Sequence, residues 1–455
     1  MTHHHPGPDA ADPAPVIGAA EDVHLKRALG LSGLTLFGLV YLVPLTVFTT
    51  YGIVTELTGG RVALAYAATL VAMAFTALSY GRMVTAYPVS GSAYTYTQQT
   101  FGGHAGFLAG WSLMLDYLFL PMINYLVIGI FLNAEIESVP IWAWAVIAIA
   151  LVTVLNIVGI KSIATANTAI IAVQTVFIAV FVVLCLRTVA GNEVDLLAPF
   201  TGDGSVTGMG AVFAGSAILC LSFLGFDAVS TMAEEAENPR RDIPRAILYV
   251  TIGGGIVFII LAFLAQVALP ATTFADPDAA ALDVMVEIGG SLMSSFFVAA
   301  YVAGAFGSAL TSQASVTRIM YAMGRDGVLP RPFGSLLPRY QTPAFAVLFV
   351  SVLSLGVIFV SLATLASLVS FGALVAFSAV NLAVIKHYWF DAGDRAVVRN
   401  LVLPAVGFVS TAWLWTSLSG RTIVFGLVWL GVGVVYLAVL TRGFRQRPPE
   451  LEFAE

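Results

Sequence analysis

Twelve apolar segments of bilayer-spanning length follow one another along this chain, separated by polar connections. A helix that crosses a bilayer needs about 20 mostly apolar residues. Segments of that kind lie at 31–57, 61–81, 104–133, 139–160, 166–187, 208–235, 246–269, 288–322, 342–361, 363–385, 400–418 and 422–441. Inside hydrocarbon every backbone polar group needs a partner within the protein, and for segments of this length that means α-helix. Only 10% of the 455 residues are charged, whereas a water-soluble domain carries about 25%. Lipid must therefore cover most of the surface. The expected fold class is an all-α polytopic membrane protein with twelve transmembrane helices.

Lysine and arginine orient the bundle. With the N-terminus inside and the spans alternating, seventeen of the 20 basic residues face the cytoplasm, and only Arg61, Arg187 and Arg421 face outward. This is the bias of the positive-inside rule, and one span more or fewer would scramble it. Both termini are thus expected in the cytoplasm. Residues 1–28 read as a disordered cytoplasmic tail, 29–441 as the membrane domain, and 442–455 as a second cytoplasmic tail. The first tail has no apolar stretch with a cleavage site and does not read as a signal peptide. His3, His4 and His5 belong to that tail rather than to a metal site. Cys185 and Cys220 sit in apolar runs without metal-site spacing and read as packed thiols. A formal charge of −6 and the lack of a basic block give no footprint for nucleic acid.

Two spans carry helix-breaking chemistry. The first contains Pro44-Leu45-Thr46, where Pro44 removes a backbone donor and clashes with the preceding turn. The sixth contains Phe223-Leu224-Gly225-Phe226-Asp227, which combines a helix-weakening glycine with an acid at mid-membrane depth. Taken singly, each reads equally well as a packing kink. As a pair five spans apart they point to discontinuous helices around a transport site. Asp116 places a second acid inside the third span. Intramembrane acids are costly and are by default functional; the competing reading is a neutral carboxyl that ties helices together. Burial raises a carboxyl pKa and a bound amine lowers it again, which suits proton carriage. Tyr94, Tyr96, Phe223 and Phe226 are candidates for cation–π contacts with an amine, although most aromatics in such a chain serve packing. Ser308, Thr311 and Ser312 on the eighth span are candidates for ion coupling, against the plainer reading that they bond their own helix backbone.

Three motifs in order resemble the amino acid–polyamine–organocation transporter family. Tyr87-Pro88-Val89-Ser90-Gly91-Ser92-Ala93-Tyr94 is similar to the family's signature after helix two. The stretch from Glu234 to Ile247, with Asn238-Pro239-Arg240-Arg241-Asp242-Ile243-Pro244, resembles the one after helix six. Tyr321 to Pro330, followed by Thr342-Pro343, resembles the one after helix eight. The resemblance covers roughly residues 28–445 and implies a LeuT-type fold. Two five-helix inverted repeats, about 31–187 and 208–387, would be followed by two extra helices at about 400–441. It also implies a substrate between helices one and six, with alternating access.

Pro44-Leu45-Thr46-Val47-Phe48, Asp116 to Asn124, and Phe223 to Val229 look most like the family's bacterial putrescine-importer branch. Common amino acid members carry glycines where this chain has Pro44-Leu45-Thr46, and those amides grip an α-carboxylate. Pro44 has no amide hydrogen to offer, which fits a substrate that is mainly an amine. Some relatives carry a coupling lysine in helix five, where this chain has Gln174. The resulting expectation is a secondary importer of putrescine or a similar cation. Pro44, Leu45, Thr46, Asp116, Phe223, Gly225, Phe226, Asp227 and Tyr94 would sit at the substrate. Asp116, Asp227, Thr311 and Ser312 are the coupling candidates, with a proton preferred to sodium. The alternative is an amino acid permease or exchanger of the same family. An enzyme is not expected: beyond the tail only His104 and His387 remain, far apart and without metal spacing. No cofactor is expected either.

Overall fold

The computed structural model describes residues 29–446 and 448, apart from 90, 159–162, 192, 234, 326 and 328. The tail 1–28, with its four histidines, lies outside the described residues, as do Ser90, Glu234, Asp326 and Val328 of the motifs. The chain runs through α1 (Leu31–Leu42), α2 (Tyr51–Thr58), α3 (Val62–Ala86), α4 (Ser92–Phe101), α5 (Gly103–Glu135), α6 (Ile141–Val158), α7 (Ile163–Gly191) and the short α8 (Ala198–Thr201). It continues through α9 (Gly210–Phe223), α10 (Pro239–Leu248), α11 (Gly254–Ala268), α12 (Ala280–Arg325), α13 (Ala344–Ser354), α14 (Leu362–Val384), α15 (Leu403–Thr416) and α16 (Gly420–Leu440).

Among the described residues, ten helical stretches are long and apolar enough to cross a bilayer. The expected spans 342–361 and 400–418 coincide with shorter helices, α13 and α15. The α10 helix begins well before the apolar run at 246, because Pro239 occupies its first turn, where a missing N–H costs nothing, and Asp242 faces the positive helix end. A π-helical turn at Tyr249–Gly253 then joins α10 to α11. The eighth span is longer than expected: α12 starts at Ala280 and kinks at Gly290 (φ 65°) before running on to Arg325. The α4 helix is an element that a search for apolar runs does not find.

The α5 helix is the axis of the bundle and is buried over most of its length between α12, α14, α4 and α6. Between helices in lipid the hydrophobic effect gives little, so small residues and buried polar links hold the contact. Gly372 of α14 shows this closeness: a Cβ there would lie 2.4 Å from the Ser112 carbonyl oxygen of α5. Gln313 of α12 ties four helices. Its Oε1 accepts from Tyr125 (3.3 Å) and Asn156 (3.0 Å), and its Nε2 donates to Ser351 (2.7 Å). This network gives the site a stiff wall.

Candidate functional site

The first span breaks where Pro44 demands it. The α1 helix ends at Leu42, Val43 turns to φ 52° and ψ 98°, and a 3-10 turn spans Pro44–Phe48. In an unbroken helix the Val40 carbonyl would accept from residue 44, and proline has no N–H to give. The Thr46 hydroxyl compensates two residues further on, donating to the Leu42 carbonyl at 2.8 Å. A positive φ at a β-branched residue is strain of the kind that gathers at functional sites.

The sixth span breaks at Gly225. The α9 helix stops at Phe223, Leu224 is extended, and Gly225 has φ +126°. Asp227 stabilises the break from below: its Oδ1 accepts the Gly225 N–H at 3.2 Å, and its main-chain carbonyl accepts the Ser230 hydroxyl at 2.6 Å. The two breaks touch. A Cβ on Gly225 would fall 2.9 Å from the Leu42 nitrogen and 3.1 Å from the Gly38 carbonyl oxygen.

Beside this contact lies a buried cluster of acids and tyrosines. Asp116 and Asp227 are 1% and 2% exposed. Both carboxyls lie within electrostatic reach of Tyr41 and Tyr117. The hydroxyls of Tyr41 and Tyr117 and the Asp116 Oδ1 are buried without a hydrogen-bond partner. Buried polar atoms are nearly always paired, so such a cluster needs an explanation. An ammonium, with its several N–H donors and no acceptor, complements it.

Tyr41 also faces a small space, displaced along α5 towards Glu135. This cavity of about 20 Å³ is lined by Tyr41, Val43, Thr46, Thr49, Asn124, Leu224, Tyr301 and Ser308 among others. It has room for about one water molecule. Its walls are neutral and rich in oxygen. The Asn124 amide donates to Ser308 and to the Leu120 carbonyl, both at 3.1 Å, and Thr49 and Tyr301 share a hydrogen bond. Two groups of aromatic rings pack on either side along α5. Phe48, Phe131, Phe297 and Tyr301 interlock edge-to-face on the Glu135 side. Tyr80, Tyr96, Phe226 and Phe377 do so on the opposite side.

A broken first helix in contact with a broken sixth, both beside buried carboxyls, is the arrangement that the motifs imply. The sequence profile of amino acid permeases matches residues 33–436. The chain belongs to the amino acid permease family. It is 39% identical over 441 residues to the low-affinity putrescine importer PlaP of Escherichia coli (strain K12), covering 94% of this chain and 97% of that protein. It is 28% identical to the branched-chain amino acid permease BcaP of Bacillus subtilis (strain 168), over 92% of this chain and 94% of that one. The methylthioribose transporter of the same organism matches at the same identity and with the same coverage. The permease is thus a multi-pass membrane protein of a transporter family, as the sequence reading expected.

The structure sorts the residues singled out beforehand. It brings Pro44, Thr46, Asp116, Gly225 and Asp227 of this permease to the two breaks and the cluster beside them. Leu45 is fully buried at the first break but does not line the cavity. Phe226 stacks in the aromatic layer, and Phe223 packs edge-on against Phe258. Tyr94 lies away from the breaks, against the α5 backbone: a Cβ on Gly110 would come 2.8 Å from its ring. The hydroxyls of Thr311 and Ser312 donate to carbonyls of their own helix, at 2.8 Å to Gly307 and 2.7 Å to Ser308. Gln174 reaches the first break, where a Cβ on Gly304 would overlap its Nε2 at 1.9 Å and meet Val43 at 3.3 Å. Residue-by-residue reading did not single out Tyr41, Tyr117, Thr49 or Tyr301. One local signal could have found Tyr41 and Tyr117, since they neighbour Pro44 and Asp116; Tyr301 has none.

In the connections between spans, Asp203 accepts from Ser205 (N–H at 2.8 Å) and from the Thr272 hydroxyl at 2.6 Å, and Glu56 accepts the Phe274 N–H at 2.9 Å. Hydrogen bonds from Ser205 and Thr272 hold the Asp203 carboxyl down to about 2. This tie across the segment before α12 therefore stays ionised at neutral pH.

Proposed function

We propose that this permease imports a small amine cation, putrescine or a polyamine-like relative, across the cytoplasmic membrane with a proton as the coupling ion. The reading rests on one observation: unpartnered Asp116, Tyr41 and Tyr117 oxygens are buried beside a first-helix break that starts with proline. A break built for an α-carboxylate offers free amides, whereas this one offers oxygens. The similarity to a putrescine importer supports the same substrate class.

Both acids act on Tyr41, and Asn124 stands eight residues from Asp116 along α5, about 12 Å at 1.5 Å per residue. A diamine then has two unlike ends to meet. One ammonium meets Asp227, and the other meets the neutral oxygens of Thr49, Tyr301 and Ser308. Asp116 carries the proton, since Gln174, at the place of the family's coupling lysine, cannot titrate. In this proposal the chain has twelve spans in two five-helix inverted repeats plus α15 and α16, with both termini cytoplasmic. The two contacting breaks, five spans apart, support that symmetry. The membrane potential favours entry by about 2.3 kcal/mol per positive charge per 100 mV.

The test is radiolabelled putrescine uptake into proteoliposomes, with the outside acidic or at equal pH, and with ornithine as competitor. Putrescine should accumulate faster with acid outside, and ornithine, which adds a carboxylate, should compete poorly. Accumulation of an amino acid in place of putrescine would overturn the substrate assignment. The Asp116→Asn variant should transport with a flat pH profile; an unchanged profile would remove Asp116 as the proton carrier.

A further inference from the structure

Apart from the two breaks and the small cavity beside them, a cavity of about 230 Å³ opens where α3, α10, α14 and α15 meet. Its walls are apolar over most of their area, formed by Leu78 of α3, Leu248 of α10, Val384 of α14 and Leu403 of α15. One end is cationic, because Arg82 and Arg399 also line it. The Arg82 guanidinium is held in place rather than free to swing. It stacks on the Tyr388 ring at 3.8 Å, its NH2 donates to the Asn400 Oδ1 at 2.9 Å, and its buried Nε has no partner. Arg399 is half in solvent and donates to Asp394 at 3.0 Å. That same carboxylate stands 4.0 Å from Arg82. One acid thus faces two guanidiniums, and Arg240 adds further positive charge near Tyr388. The neighbours of two wall residues, Tyr249 and Val402, are exposed on the outside of the bundle.

An apolar slot that ends in fixed positive charge, open to the surface that lipid covers, selects a molecule with an acyl tail and an anionic head. A soluble anion would leave the apolar walls empty, and a cationic amine would be repelled by the arginines. We propose that this cavity binds an anionic phospholipid, with the headgroup phosphate on Arg82 and Arg399 and an acyl chain between Leu78, Leu248 and Leu403. The positive-inside bias puts the arginine end at the cytoplasmic leaflet, where anionic lipids attract juxtamembrane basic residues. The lipid would bridge α3 and α10 to α14 and α15, and so would bear on how these helices move relative to one another.

Native mass spectrometry of the delipidated full-length permease tests this, with phosphatidylglycerol and phosphatidylcholine of identical chains as probes. Phosphatidylglycerol should bind about thirtyfold more tightly than phosphatidylcholine, because both carry the phosphate but the choline cation cancels its charge beside the two guanidiniums. Arg399→Gln should cut that preference about fivefold, and Leu248→Trp, which fills the slot without changing charge, should weaken both lipids. These two variants leave the Arg82–Asn400 tie intact, so folding is preserved. Inorganic phosphate should fail to displace the lipid. Equal retention of the two lipids, wild-type retention by both variants, or displacement by inorganic phosphate would each overturn the assignment.

Discussion

Replacing Asp227 by asparagine is expected to abolish uptake of the cation while the protein stays folded. Asparagine keeps an oxygen where the Gly225 N–H now donates at 3.2 Å, and it has nearly the same volume. The second break should therefore persist. What the substitution removes is the negative charge, at a position where the native side chain is 2% exposed. Deleting one partner of a buried charge pair costs about 2–5 kcal/mol, which is roughly 30- to 4,000-fold in affinity. Initial uptake rates and competition binding in proteoliposomes measure the loss, and thermal unfolding in detergent measures the fold. Wild-type uptake by a folded variant would remove Asp227 from the substrate.

Gly225→Ala should be as damaging by a different route. The residue sits at φ +126°, where an L side chain is strained, at a cost of about 1–3 kcal/mol. Its new methyl would stand 2.9 Å from the Leu42 nitrogen, a backbone atom that cannot swing away. Overpacking of this kind adds about 1–3 kcal/mol. Because Leu42 closes α1, relieving the overlap means moving the two half-helices apart, and the cluster beside them loses its shape. A lower unfolding temperature together with lost uptake is expected. Gly431→Ala is the control: nothing lies within 4 Å of a Cβ there, so stability and uptake should match the parent. If Gly225→Ala transports normally, the contact between the breaks is not needed for function.

The breaks and the acids were legible because their causes are local. Pro44 lacks a donor whatever surrounds it, and a carboxyl in the middle of an apolar run is costly in any bundle. The roles of Phe223, Phe226 and Tyr94 were not legible. An aromatic ring carries the same local signal whether it lines a pocket or packs against a helix, and in this permease Phe223 and Phe226 join aromatic stacks. Tyr301 shows the converse. It lies in a 46-residue helix with no break or acid near it, and only the approach of Thr49 from the first break makes it part of the site.

The sequence by itself determined that the chain is a helical membrane protein, where most of its apolar helices lie, and where two of them break. Lipid acts on each segment separately: it demands a closed backbone and an apolar surface over about 20 residues, and both demands are written in consecutive positions. Tertiary structure alone decided which side chains meet. Between helices in lipid no hydrophobic stripe marks the inner face, and contact is set by where small residues let backbones approach. The fit of Gly225 against Leu42, and with it the gathering of Asp116, Asp227, Tyr41 and Tyr117 around one point, exists only once those approaches are made.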